Sequence, residues 1–264
     1  MGGNDQQAYD RGTSLFSPDG RIYQVEYARE AVSRGAPSVG VRTADGVVFV
    51  AMSRPSSTLM EAESIEKLHK LDDHVGTASA GHVADARQLI DFARRQAQGN
   101  RLRYGEPVGV EALTKYVTDH VQENTQRGGT RPYGAALLLG GVENGEPRLF
   151  AADPSGTPNE WKATVIGGGR KAIQGLLEEE WSDDLSLVEG IELGVRALLA
   201  HDDELEAADL AVATITDADG YRSVPDEEIA EAFDAVDESD EDPDDGDGGE
   251  TDDDGDETDD GDGE

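Results

Sequence analysis

A chain of 264 residues can form one sizeable domain, but only 36% of these residues are hydrophobic, 30% are charged and the net charge is −36. So acidic a chain repels nucleic acid and anionic membrane, both of which call for clustered Lys and Arg, and no apolar run approaches the ~20 residues that span a bilayer. The absence of cysteine removes disulfides, thiolate metal sites and a cysteine nucleophile together.

The first ten residues, MGGNDQQAYD, have neither the basic nor the apolar region of a secretion signal, so the expected location is cytoplasmic. Met1-Gly2-Gly3 begins like a myristoylation motif, but Gln6 stands where Ser or Thr is needed. Ser17-Pro18-Asp19-Gly20 is a turn: Pro18 presets φ and Gly20 closes it. A helix is predicted from about Asp19 to Arg34, with Ile22, Val25, Ala28 or Arg29, and Val32 near one face, Glu30 and Arg34 paired at i, i+4, and Gly35 and Pro37 ending it. Two strands follow, Ser38 to Thr43 and Val47 to Met52, joined at Asp45-Gly46. A third is expected at about Asp73 to Ser79.

Two helices come next, one with the stripe Val83, Ala86, Leu89, Ile90 and Ala93, the other with Val110, Leu113, Val117 and Val121. Tyr133 to Val142 reads as an apolar strand turning at Asn144-Gly145 into Arg148 to Ala152, and Glu160 to Ile166 as one further strand. Helices are predicted at about Arg170 to Trp181 and Leu187 to His201, the latter opened by a Ser186/Glu189 capping box. A last hairpin, Leu210 to Thr216 and Tyr221 to Val224, turns at Asp219-Gly220, and a short helix from about Asp226 to Phe233 follows.

Hairpin-joined strands separated by helix pairs imply an α+β architecture: a four-layer α/β/β/α sandwich of two antiparallel sheets with an extra N-terminal helix. The expected divisions are 1–34 as N-terminal segment and helix, 35–233 as the sandwich, and 234–264 as a disordered acidic tail. Nineteen of the 58 acidic residues fall in that tail, leaving thirty-nine against 22 bases in the body. Acid in both parts suits a cell with molar internal salt, where screening within a few Å suppresses self-repulsion. The tail's Asp runs lack the Gly-at-six, Glu-at-twelve frame of a calcium loop.

Familiar catalytic frames are missing: there is no G-x-S-x-G elbow, no H-E-x-x-H and no Walker A sequence. Gly167-Gly168-Gly169 before Arg170 reads as a close-packing device rather than a phosphate cradle. His69, His74, His82, His120 and His201 lack metal-ligand spacing, so no metal and no cofactor is expected.

Tyr9-Asp10-Arg11, Phe16-Ser17-Pro18-Asp19-Gly20-Arg21 and Gln24-Val25-Glu26-Tyr27-Ala28 together resemble the N-terminal signature of proteasome alpha subunits. The resemblance continues through Ser64-Ile65-Glu66-Lys67, Gly81-His82-Val83-Ala84-Asp85, Arg131-Pro132-Tyr133-Gly134 and Asp153-Pro154-Ser155-Gly156, covering about Tyr9 to Phe233. With the acidic body it points to the archaeal, halophilic branch. It implies the N-terminal-nucleophile hydrolase fold and a barrel of four seven-membered rings, alpha outside and beta inside. In the family, beta subunits cut peptide bonds with an N-terminal Thr whose amine acts as base. Here Ala36 falls about where that nucleophile would stand, Met52-Ser53 replaces the first-hairpin acid, and Lys67 falls near the beta catalytic lysine. No catalytic residue is therefore expected, the alternative being a self-sufficient N-terminal-nucleophile hydrolase or protease.

The resemblance further implies that residues 1–13 obstruct the axial pore, with Tyr9, Asp10, Pro18 and Tyr27 holding the open gate. Lys67 and Gly81 would line a pocket for the C-terminal tail of a regulatory AAA ATPase, with His82 departing from the aliphatic residue common beside them. Gly128 and Gly129 would narrow the pore to an annulus for unfolded protein substrates. The implied partners are beta subunits and other alpha subunits in a seven-membered ring, serving ubiquitin-independent protein degradation.

Overall fold

The computed structural model describes residue 20, residues 22–127 and residues 130–240. Along it run helix α1 (Tyr23–Ser33), strands β1 (Ser38–Arg42), β2 (Gly46–Met52), β3 (Leu68–Asp72) and β4 (Val75–Gly81), then helices α2 (Val83–Tyr104) and α3 (Val110–Gln126). The second half carries β5 (Ala135–Glu143), β6 (Glu146–Ala152), β7 (Pro158–Glu160), β8 (Ala163–Ile166), α4 (Arg170–Glu180), α5 (Leu187–Leu199), β9 (Leu210–Thr216), β10 (Gly220–Ser223) and α6 (Asp226–Asp240). The strands form two five-stranded antiparallel sheets, ordered β10-β9-β2-β1-β8 and β3-β4-β5-β6-β7.

Period-two alternation explains how these sheets stack into four layers. Along β2, Val48 and Val50 face the α4–α5–α6 layer, while Val47 and Phe49 face the other sheet. Along β5, Leu137 and Leu139 pack under α2 and α3, and Ala136 and Leu138 meet Phe49 and Leu149 between the sheets. That is why the run from Ala135 is apolar at every position. Its five residues are at most 3% exposed. The expected α/β/β/α sandwich is therefore observed, with α1 lying against β4 and β5 at one end.

Four boundaries differ from those predicted. α1 begins at Tyr23 rather than near Asp19, with Ile22 as its extended N-cap. β3 is an additional strand: its sequence, Leu-His-Lys-Leu-Asp, is polar because it lies at a sheet edge, and the predicted start at Asp73 falls in the turn between β3 and β4. The strand predicted at Glu160 to Ile166 is two strands in different sheets. Trp161 N–H donates to Leu149 O and Lys162 O accepts from Arg42 N–H, so the chain crosses between layers there. The last helix runs on to Asp240 rather than ending near Phe233, because Ile229, Ala232 and Val236 recur at helical spacing and are buried against the rest of its layer. Residues 234–240 thus belong to α6, not to a tail, and 241–264 lie outside the described residues.

Turn chemistry behaves as expected. Asn144 (φ 55°) and Gly145 (φ 81°) both take the left-handed conformation that a two-residue hairpin requires. Ser186 Oγ accepts from Glu189 N–H at 3.3 Å and Glu189 Oε2 accepts from Ser186 N–H at 2.8 Å, completing the capping box. Around Gly167-Gly168-Gly169 the structure supports packing. A Cβ on Gly167 would lie 2.8 Å from Ala36 O, and one on Gly169 2.4 Å from the His201 ring.

Candidate functional site

β3 and β4 pair so that Leu68 faces Ala78, which brings Lys67 opposite Ser79, whose N–H donates to Lys67 O at 3.0 Å. Ser38 Oγ donates across the sheets to Ser79 O at 3.0 Å, fixing the start of β1 beside the end of β4. Lys67 therefore points at the segment leading into β1: Nζ donates to Ala36 O at 2.6 Å and to Pro37 O at 3.0 Å. The surrounding pocket, about 260 Å³, is walled by Ala36, Met52, Ser53, Ile65, Gly81 and Val83.

Burial drives the Lys67 pKa down to about 7. Among the described residues no carboxylate lies within ion-pairing distance of Nζ, although Lys70, Lys115 and Lys162 each have one. Arg54, also on the pocket wall, is held by Asp202 at 3.5 Å and Asp209 at 3.3 Å.

Residue 36 is a methyl group in an uninterrupted backbone, with Gly35 N–H donating to Val32 O and Gly35 O accepting from Gly168 N–H. Its carbonyl is occupied by Lys67. The two nearby hydroxyls are also committed: Ser53 Oγ donates to Ile65 O at 3.2 Å and Ser79 Oγ to Lys67 O at 3.4 Å. An N-terminal nucleophile needs a hydroxyl beside a free α-amine, and the position facing Lys67 offers neither.

Gly81 must be small for a backbone reason as well. Its φ is 98°, and a Cβ would lie 2.4 Å from Gly134 O. The adjoining His82 N–H donates to that same oxygen at 2.8 Å. The His82 side chain is exposed, and the apolar wall falls instead to Val83, 75% exposed, and Met60, 42% exposed. Helical periodicity assigns Val83 to the core stripe; as the first residue of α2 it lies beyond the sheet and faces the pocket.

Behind the pocket, α2 holds the Arg131-Pro132-Tyr133-Gly134 segment. Asp85, 3% exposed, accepts from Arg131 Nη1 at 2.5 Å, Arg131 Nη2 at 2.8 Å and Gly134 N–H at 2.8 Å. Burial alone would raise the Asp85 pKa, but the Arg131 and Gly134 hydrogen bonds outweigh it and hold the carboxyl below its ordinary value. Tyr133 Oη and His120 Nε2 are 3.1 Å apart, with His120 stacked on Phe92. Thr130 Oγ1 reaches Asn124 O at 2.8 Å, so the segment is fastened from both sides of Gly128 and Gly129, which themselves lie outside the described residues.

Of the four gate residues read from the sequence, Tyr9, Asp10 and Pro18 lie outside the described residues. Tyr27 sits half-exposed on α1, whose buried face is Val25, Ala28 and Val32. Beside it Arg29 Nη2 meets Asp153 at 2.8 Å, so the Asp153-Pro154-Ser155-Gly156 turn anchors α1.

The sandwich agrees with what comparison finds. Residues 32–215 match the proteasome subunit family, to which the chain belongs. Residues 9–31 match the N-terminal signature of A-type proteasome subunits, which makes it an alpha-type subunit. The chain is 66% identical to the alpha 2 proteasome subunit of Haloferax volcanii over 88% of its length and 93% of the relative's. It is 61% identical to the alpha proteasome subunit of Haloquadratum walsbyi over 87% and 93%, and 57% identical to that of Halobacterium salinarum over 90% and 95%. These relatives are from halophilic archaea, the branch that the acidic body suggested.

Proposed function

We propose that this alpha-type subunit forms, with six like it, the outer ring of a proteasome core, and that it admits substrate rather than cutting it. Beta subunits stacked beneath would supply the threonine-type endopeptidase. Residues 1–13 obstruct the axial pore, Tyr9, Asp10, Pro18 and Tyr27 hold them aside when it opens, and Gly128 and Gly129 line the annulus that passes only unfolded chains. The complex works in the cytoplasm.

The observation that carries this reading is the Lys67 amine held between the carbonyls of Ala36 and Pro37. That arrangement leaves the position where a beta subunit's nucleophile would stand without chemistry. It also leaves a cation with no carboxylate partner among the described residues, in a pocket whose apolar walls are Met52, Ile65 and Val83. Two N–H bonds of the ammonium are committed, and the third suits the terminal carboxylate of a regulatory AAA ATPase, a charge-assisted contact worth about 1.5–3 kcal/mol. High salt weakens exposed ion pairs, so the apolar wall shares the docking.

Two variants of the assembled particle test it. Deleting residues 1–13 raises peptide hydrolysis without any regulator; unchanged hydrolysis would rule out the gate. Lys67→Ala reduces the apparent affinity for the ATPase by about tenfold or more while ring assembly persists. Normal stimulation would rule out docking at Lys67.

A further inference from the structure

The same lysine has a second chemical character. An ammonium carries three N–H bonds, whereas a neutral amine carries two and a lone pair. The described residues offer Nζ two acceptors, Ala36 O at 2.6 Å and Pro37 O at 3.0 Å. Two N–H bonds are thereby directed at carbonyl oxygens, which leaves the lone pair of a neutral amine, or the third N–H of an ammonium, for whatever enters the pocket. The charged groups on the pocket wall are Arg54, whose guanidinium is tied to Asp202 and Asp209, and Glu66, which forms no ion pair with Nζ.

The chain has five lysines. Lys70, Lys115 and Lys162 are paired with carboxylates at 2.7, 2.6 and 3.3 Å, and Lys171 is exposed to water. Lys67 differs in being both within a cavity and without a carboxylate among the described residues. At about 260 Å³ the cavity falls below the roughly 300–1,000 Å³ of drug-sized ligand sites, which favours a small reactant.

We propose that Lys67 is an acyl-acceptor site, modified on Nζ by a small acyl phosphate, and that the modification excludes a C-terminal carboxylate from the pocket. The exclusion rests on the docking reading above; the acceptor chemistry does not. In the step, the amine lone pair attacks the acyl carbonyl carbon and a C–N bond forms. The C–O bond to phosphate breaks, its electron pair leaves with the phosphate, and the amine loses one proton to solvent. The product amide retains one N–H and no charge, so it has nothing to offer a carboxylate beyond the bond already made to the Ala36–Pro37 carbonyls. Burial, by lowering the pKa to about 7, leaves a far larger share of the amine neutral at neutral pH than an ordinary lysine has. Docking and acylation compete, since a bound carboxylate favours the ammonium.

The test is site-resolved mass spectrometry of the assembled particle exposed to limiting acetyl phosphate between pH 6 and 10. Lys67 is expected to be acetylated at least tenfold faster than Lys171 at pH 7. Its rate should level off above pH 8. Equal rates at Lys67 and Lys171 would overturn the acceptor assignment. Modification by acetyl-coenzyme A but not by acetyl phosphate would overturn the choice of donor. In a second arm, a peptide copying a regulator's C-terminus slows Lys67 labelling, and its C-terminal amide does not. Selective labelling that leaves peptide-stimulated hydrolysis unchanged would refute docking and keep the acceptor. An unlabelled Lys67 in a particle whose Lys67→Ala form loses stimulation would do the reverse.

Discussion

Asp85 concentrates three hydrogen bonds on one buried carboxylate and so decides how the Arg131–Gly134 segment sits behind the Lys67 pocket. Asp85→Ala removes two charge-assisted bonds and leaves the Gly134 N–H without its acceptor. A loss of about 2–4 kcal/mol in urea unfolding is expected, where a surface substitution would change stability by less than about 0.5. The pH dependence has a definite sign. The folded-state pKa of Asp85 is depressed, so its contribution is present above the unfolded value near 4 and is lost as pH falls through the folded one. Asp85→Asn should therefore flatten the acid limb of the stability profile, and an unchanged limb would show that the pairing contributes nothing. At this scale the sequence was only partly legible. Asp85 and Arg131 belong to motifs visible along the chain, but they stand 46 positions apart, and nothing in their spacing pairs them. Lys67 and Ala36, 31 apart, meet only because two sheets are cross-linked through Ser38 and Ser79.

Elements were legible wherever turn chemistry and periodicity agreed. The Asp45-Gly46, Asn144-Gly145 and Asp219-Gly220 hairpins all form; Asn144, Gly145 and Gly220 supply positive φ, whereas Gly46 is kept small by Ile215 O, 2.2 Å from where its Cβ would lie. Where polarity follows position in the sheet instead, the sequence misleads. β3 is a polar edge strand, and the two halves of Glu160 to Ile166 divide between layers at Trp161 and Lys162. The acidic composition likewise masks the last two turns of α6, which Val236 anchors at 1% exposure. The central element is β5, and Leu138 is the larger of its inter-sheet residues, fully buried beside Phe49 and Leu149. Leu138→Ala should cost about 2–5 kcal/mol by thermal or urea unfolding, through lost burial and the cavity left between two sheets that cannot collapse. A cost below about 1 kcal/mol would mean that the inter-sheet layer is not packed as described. Ser186→Ala, removing half of the capping box, should cost about 1 kcal/mol.

The whole molecule joins a catalytic-type sandwich to a leader that is continuous with it. α1 leads through Gly35 and Ala36 into β1, with Gly35 N–H donating to Val32 O and Gly35 O accepting from Gly168 N–H. If, as proposed, the chain belongs in a ring that admits substrate, it should keep its leader and need no nucleophile at this position. Native mass spectrometry of the purified full-length chain in concentrated salt tests this most directly. The account predicts a closed assembly of seven copies, each releasing on dissociation a protomer whose mass still includes residues 1–34. A monomer whose mass begins at or just after Gly35 would contradict it, because that is the product of a self-processing hydrolase.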